Sequence, residues 1–157
     1  MFPGDWIVGF LDKKNDYRFL YAMEVSERLH MNDYFHDLRF ARKRPVVSGT
    51  ARQSCGDDIY SFSSLGIWQQ HETIYHGNQR AKLQDTKHPF IFVGKRFWYL
   101  GRESSELPQR FRLLAGGRGA RVNHDPKIAS EFKAWVEDNF SLGIHALPRD
   151  LLLQGAA

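Results

Sequence analysis

Two segments of this sequence carry residue types that do chemistry. Gly56-Asp57-Asp58-Ile59-Tyr60 sets adjacent carboxylates ahead of a β-prone run, and Gly116-Gly117-Arg118-Gly119-Ala120-Arg121 joins glycines to two guanidinium groups. In an extended chain neighbouring side chains point to opposite faces, so Asp57 and Asp58 would not ligate one metal together unless the backbone is irregular there. Either carboxylate could accept hydrogen bonds from a base or sugar edge; the alternative is a turn-capping role. The glycine-rich segment could bring backbone N–H groups and the forks of Arg118 and Arg121 onto a phosphate, or it is a flexible loop behind a helix.

The histidines offer a second chemistry. His71 and His76 stand five residues apart in a polar stretch, and His124 and His145 flank the last predicted helix. His145, Asp57 and His76 are the candidate acid–base groups of an enzymatic reading, which requires them to meet in one pocket. No metal is expected, because none of these histidines forms a helical i,i+4 pair or a tight cluster. No cofactor is apparent either: there is no Walker-type phosphate loop, no G-x-G-x-x-G after a strand, no H-E-x-x-H and no C-x-x-C. The single cysteine, Cys55, excludes an internal disulfide and a multi-cysteine zinc site, and with no general base beside it reads as inert.

Charge is distributed unevenly. The chain has 157 residues with 22 Lys+Arg and 18 Asp+Glu, a net charge of +4. From Arg39 to Arg52 there are five basic residues and no acid, and from Arg80 to Arg121 ten basic residues against three acids. On one face, such stretches would make a positive surface for phosphates, interleaved with Phe40, Phe97, Trp98, Tyr99 and Phe111; the alternative is a solvated face over core aromatics. With 42% hydrophobic residues the composition is that of a folded domain, no run is long and apolar enough for a membrane span, and the start lacks the pattern of a signal peptide. A single cytoplasmic domain over residues 1–157 is expected.

These groups need elements to hold them. Trp6 to Phe10 reads as a strand, Lys13-Lys14-Asn15-Asp16 as a hairpin tip and Arg18 to Val25 as the returning strand. Asn32 is a candidate cap for a short helix over Asp33 to Phe40, and Ala41 to Gly56 reads as a basic surface loop. Short strands are expected at Ile59 to Phe62 and Ile67 to Gln69, then a long loop from His71 to His88. Pro89 to Val93 and Arg96 to Leu100 read as a strand pair joined at Gly94-Lys95, where glycine suits a type II′ turn. A helical turn follows through Phe111 to Leu114. The clearest helix spans about 126–139: Asp125 caps it, Pro126 fits its first position, and Ile128, Phe132, Trp135 and Val136 fall on one face. The fold class is α+β, a mostly antiparallel sheet or partly open small barrel with short helices.

The motifs taken in order resemble the nucleotide modification associated domain 2 family. The resemblance runs through Gly4-Asp5-Trp6-Ile7-Val8-Gly9, Leu20-Tyr21-Ala22-Met23, Asp33-Tyr34-Phe35, Arg39-Phe40 with Lys43-Arg44-Pro45, Gly56-Asp57-Asp58-Ile59-Tyr60, Phe97-Trp98-Tyr99-Leu100-Gly101, Gly117-Arg118-Gly119 and Gly143-Ile144-His145, nearly the whole chain. It implies association with bacterial and phage systems that make or handle modified DNA bases, without a settled reaction. Ala120 stands where the family pattern has a histidine, which counts against catalysis here, and Asp58 where it often has asparagine. A further N-terminal segment usual in the family is expected to be missing. The opening hairpin is also similar to those of small barrels related to the pseudouridine synthase and archaeosine transglycosylase domain.

The leading expectation is a domain that binds nucleic acid, DNA foremost, or a nucleotide. Arg39, Lys43, Arg44, Arg118 and Arg121 would contact phosphate, Trp98, Tyr99, Phe40 or Tyr60 would stack on a base, and Asp57 or Asp58 would read its edge. The rivals are the His145–Asp57–His76 enzyme and a non-catalytic adaptor that binds a DNA-modification enzyme through Leu151-Leu152-Leu153 and an open sheet edge. No membrane partner is expected, and the oligomeric state is left open.

Overall fold

The structure, a computed structural model, describes residues 1–74, 78–116 and 121–148, excepting the side chains of Ala51 and Arg52. Among the sequence candidates, His76, Arg118 and the Leu151-Leu152-Leu153 tail lie outside the described residues. In chain order the elements are β1 (Trp6–Phe10), β2 (Phe19–His30), α1 (Met31–His36), a 3-10 segment (Leu38–Lys43), α2 (Ala51–Ser54), β3 (Tyr60–Phe62), β4 (Trp68–Gln70), α3 (Gln79–Asp85), β5 (Phe90–Tyr99), α4 (Arg112–Ala115), α5 (Pro126–Asn139) and β6 (Gly143–Ile144). The class is α+β: a mixed four-stranded sheet of order β1-β2-β5-β6, a two-stranded sheet β3-β4 and short helices, not a closed barrel. Among the described residues no helix is long and apolar enough to cross a membrane.

The chain divides into two compact units, one comprising Met1–Phe2 with Glu27–Val93, the other Pro3–Ser26 with the residues from Gly94 onward, and the boundaries fall inside β2 and β5. The second unit holds the larger core. Phe19, Ala22, Trp98, Leu100, Phe111, Phe132 and Val136 are buried together there. Aromatic rings dominate because few other side chains remove as much apolar surface from water. Phe132 meets Phe10, Phe19, Phe111 and Trp135 at centroid distances of 5.3–5.8 Å. The helix carrying Phe132 forms over the predicted span: the Asp125 carboxylate accepts from Lys127 N at 2.8 Å, and Pro126 lacks the N–H that would otherwise need a partner. The β1–β2 hairpin is antiparallel from Trp6↔Glu24 to Phe10↔Phe19, with an irregularity at Gly9/Phe10, and β2 runs on past the predicted end to His30.

Several local expectations are corrected. Gly94-Lys95 is not a turn, because β5 runs unbroken through it. A type II′ turn needs positive φ at its glycine, and Gly94 has none. Its role is close approach, since a Cβ there would lie 3.0 Å from the Glu24 carbonyl oxygen and 3.1 Å from Met23 Cβ. β6 is a two-residue strand parallel to β5, pairing Trp98 with Gly143 and Tyr99 with Ile144, so the sheet is mixed. The expected helix over Asp33 to Phe40 is instead α1 followed by the 3-10 segment. His30 caps α1, and the Asn32 side chain accepts from Phe62 N at 2.7 Å. The two expected loops contain α2, started by a Thr50–Gln53 capping box, and α3, capped by Asn78.

The first unit has a smaller core of Met31, Ile59 and Tyr60, with Trp68 and Ile91 packed against it. β3 and β4 pair antiparallel from Tyr60↔Gln70 to Phe62↔Trp68. Alternation along β3 sends Ser61 to one face and Tyr60 and Phe62 to the other.

Candidate functional site

The first unit holds the Gly56-Asp57-Asp58 and Lys43-Arg44-Pro45 motifs. The Gly56-Asp57-Asp58 segment lies against the Lys43-Arg44-Pro45 backbone, which only glycine at 56 permits. A Cβ there would overlap the Lys43 carbonyl oxygen and sit 2.6 Å from the Pro45 nitrogen, both of them backbone atoms that cannot swing aside. Asp58 N donates to Lys43 O at 3.1 Å, which closes the contact.

This packing buries a carboxylate. Asp58 is 2% exposed, and its Oδ2 stands 3.5 Å from Arg44 Nε. That is an ion pair too long for a sound hydrogen bond, and among the described residues neither Asp58 oxygen nor Arg44 Nε has a hydrogen-bond partner. Burial pushes the Asp58 carboxyl up to about 6, against the opposing pull of Arg44. A terminal nitrogen of Arg44 donates to the Phe35 carbonyl, and the guanidinium carbon lies 4.4 Å from the Phe35 ring centroid.

Around this pair stand further groups of α1 and the β3–β4 sheet. His71 stacks on Phe35 at 4.3 Å and 11°, and its Nε2 is 2.7 Å from Ser61 Oγ. Burial, with the charges of Arg44 and His36 adding to it, holds the His71 imidazole below its ordinary pKa, which favours the neutral ring. Tyr34 donates from its hydroxyl to Asp57 Oδ1 at 3.2 Å, and burial, followed by the Asp57 charge, raises its phenol further from ionisation. His36 is exposed, with Nδ1 2.8 Å from Asn32 O. A carbonyl only accepts, so Nδ1 carries the proton and donates. Asp57 is exposed beside the buried Asp58, and Arg42 and Lys43 are exposed on the adjoining 3-10 segment. The arrangement offers an exposed acceptor, Asp57, beside the buried Asp58 carboxylate and the half-buried Arg44 that faces it. Among the described residues no three His, Cys, Asp or Glu side chains assemble into a group able to hold a metal.

The structure brings Asp57, Asp58, Lys43 and Arg44 together. Arg39 is in the same unit but is spent on structure: its guanidinium makes two 2.9 Å bonds to Glu27 and bonds of 2.6 and 2.8 Å to Asp37. Tyr60 is buried and donates to Asp85 Oδ2 at 2.8 Å, and Trp98, 1% exposed, stacks on Trp6 at 4.9 Å and donates from Nε1 to Phe140 O. Their ring faces are covered by protein, so neither offers the stacking surface expected of it. His145 is in the second unit, where its N extends the β5–β6 ladder to Tyr99 O and its Nε2 is 2.7 Å from Ser141 O. Arg121, also in that unit, is exposed and lines a cavity of about 500 Å³ with Leu113, Asn123, His124 and Ile128. Sequence reading missed His36, Tyr34 and Ser61 as site groups. The available signal was the Asn32/His36 spacing, which on a helix lets the imidazole reach the carbonyl four residues back.

The chain matches the family model described as nucleotide modification associated domain 2 over residues 3–155. No curated protein and no solved structure matches it. The chain belongs to the nucleotide modification associated domain 2 family, whose name associates it with nucleotide modification.

Proposed function

We propose that this member of the family recognises a base or nucleotide, in DNA or on its way into or out of DNA, through the Asp57–Asp58 segment and the groups around it. The observation that carries the reading is the Asp58 carboxylate, buried and ionisable beside the half-buried Arg44, with neither its oxygens nor Arg44 Nε hydrogen-bonded among the described residues. Such a pair is costly to the fold, and unsatisfied buried charge concentrates where a ligand is handled. The accessible groups beside it suit the parts of a nucleotide. Asp57 accepts from exocyclic and ring N–H groups, while Lys43 and Arg42 supply positive charge for phosphate.

Calorimetric titration with the deoxynucleoside monophosphates, plain and base-modified, tests this. Asp57→Asn removes a charged acceptor and is expected to weaken the preferred nucleotide by roughly 10- to 100-fold, with folding unchanged by circular dichroism. Arg42→Ala with Lys43→Ala is expected to flatten the salt dependence of DNA binding by about two in log–log slope. Nucleotide binding that ignores Asp57→Asn overturns the assignment.

A further inference from the structure

In the first unit, the ends of β2 and β5 and the β3–β4 hairpin carry a cluster of aromatic rings that the Asp57 site does not use. His30 lies at its centre. It stacks on Trp68 at 5.7 Å and 23°, tilts against Phe62 at 5.6 Å, and meets Phe90 edge-on at 6.2 Å. Phe62 and Trp68 are themselves 4.2 Å apart. Beyond Phe90 the exposed Arg28 lays its guanidinium 3.6 Å from that ring's centroid. Rings in such contact usually close a core, but Phe62 is 37% and Phe90 40% exposed, and Leu65 and Ile67 at the hairpin tip are exposed too.

The cluster is held in place. Phe62↔Trp68 is a cross-strand pair, and Phe62 N is bonded to the Asn32 side chain. Ordering these side chains costs little further entropy when something binds them. The chemistry of these residues selects the occupant: flat rings and one guanidinium plane. Unpaired bases stack on aromatic rings and on arginine planes, and arginine also attracts the phosphate backbone. A cluster of this kind accommodates roughly two or three bases.

We propose that Arg28, His30, Phe62, Trp68 and Phe90 form a stacking platform for single-stranded DNA. The proposal deepens the nucleotide-recognition reading, since it gives the polymer a surface apart from the groups that read one nucleotide. The platform makes affinity depend on strand length, whereas Asp57 governs the single nucleotide.

The test compares dTMP with a ten-nucleotide oligo(dT), using calorimetry for the first and fluorescence anisotropy for the second, at fixed salt. The wild type is expected to bind the decamer at least tenfold more tightly than dTMP. Arg28→Ala with Phe90→Ala is expected to remove about tenfold or more of decamer affinity, the scale of one lost base stack, while leaving dTMP binding unchanged and so reporting an intact fold. Phe90→Tyr keeps a ring and is expected to retain the advantage. A decamer no tighter than dTMP, or an advantage that survives the double substitution, overturns the platform while the Asp57 reading stands. Absence of binding by every deoxynucleoside monophosphate to the wild type, with the decamer still sensitive to Arg28 and Phe90, overturns the Asp57 reading and supports the platform. If the double substitution alters sedimentation instead of decamer binding, the face is a protein–protein surface and the proposal fails.

Discussion

Replacing Asp58 by asparagine should stabilise this protein at neutral pH although it removes an ion pair. The Asp58 carboxyl rises from 3.8 to about 6 on folding, chiefly through burial. A rise of roughly two pH units corresponds to about 3 kcal/mol between its charged and neutral forms. The folded state holds this proton more tightly than the unfolded state, so the contribution of Asp58 to stability is greatest below about pH 4, falls as pH rises towards 6, and stays lower above it. Asparagine has nearly the same shape and cannot ionise, so it removes this loss. Urea unfolding followed by circular dichroism from pH 4 to 7.5 should show Asp58→Asn and wild type nearly equal at the acid end. The variant should be about 2–3 kcal/mol more stable at pH 7.5, a rise in Tm of about 4–12 °C. An ion pair that holds the fold together predicts the reverse, a loss of about 3–5 kcal/mol at pH 7.5 when one partner goes. That loss, or a difference between the proteins that does not change with pH, would refute the assignment of Asp58 as a buried, under-satisfied charge.

Two further outcomes follow from packing. Gly56→Ala drives a methyl group into the Lys43–Pro45 backbone and should cost about 1–3 kcal/mol in urea unfolding, with faster hydrogen exchange at the Asp58 amide, whose acceptor is Lys43 O; unchanged exchange would mean that the two segments separate without penalty. Phe132→Ala empties the centre of the second unit's core and should cost about 3–5 kcal/mol by the same assay, so a loss under about 1 kcal/mol would contradict the packing described for it.

How much could be read in advance differs from segment to segment. The last helix was legible at both ends, because its cap, its N1 proline and its apolar stripe are all local signals that agree. The first hairpin was legible for the same reason. Gly94-Lys95 misled because glycine serves both a turn and a close contact, and the choice depends on Met23 and Glu24, about seventy positions away in the chain. Asn32 misled because its carboxamide had two possible uses, capping its own helix or holding Phe62 N, and the second depends on where β3 lies. β6 has two residues and no periodicity to read.

The site divides in the same way. Sequence alone determined the family, the α+β class and the segments in which chemistry-bearing residues fall, since motif order, composition and periodicity are properties of the chain. Only the tertiary structure decided what each charged or aromatic group does. Arg39 is committed to Glu27 and Asp37, Trp98 and Tyr60 are covered, Asp58 is buried against Arg44, and Phe62 and Phe90 remain open. The physical reason is that a group's availability depends on its desolvation and on the partners it meets, and for these residues the partners come from other parts of the fold.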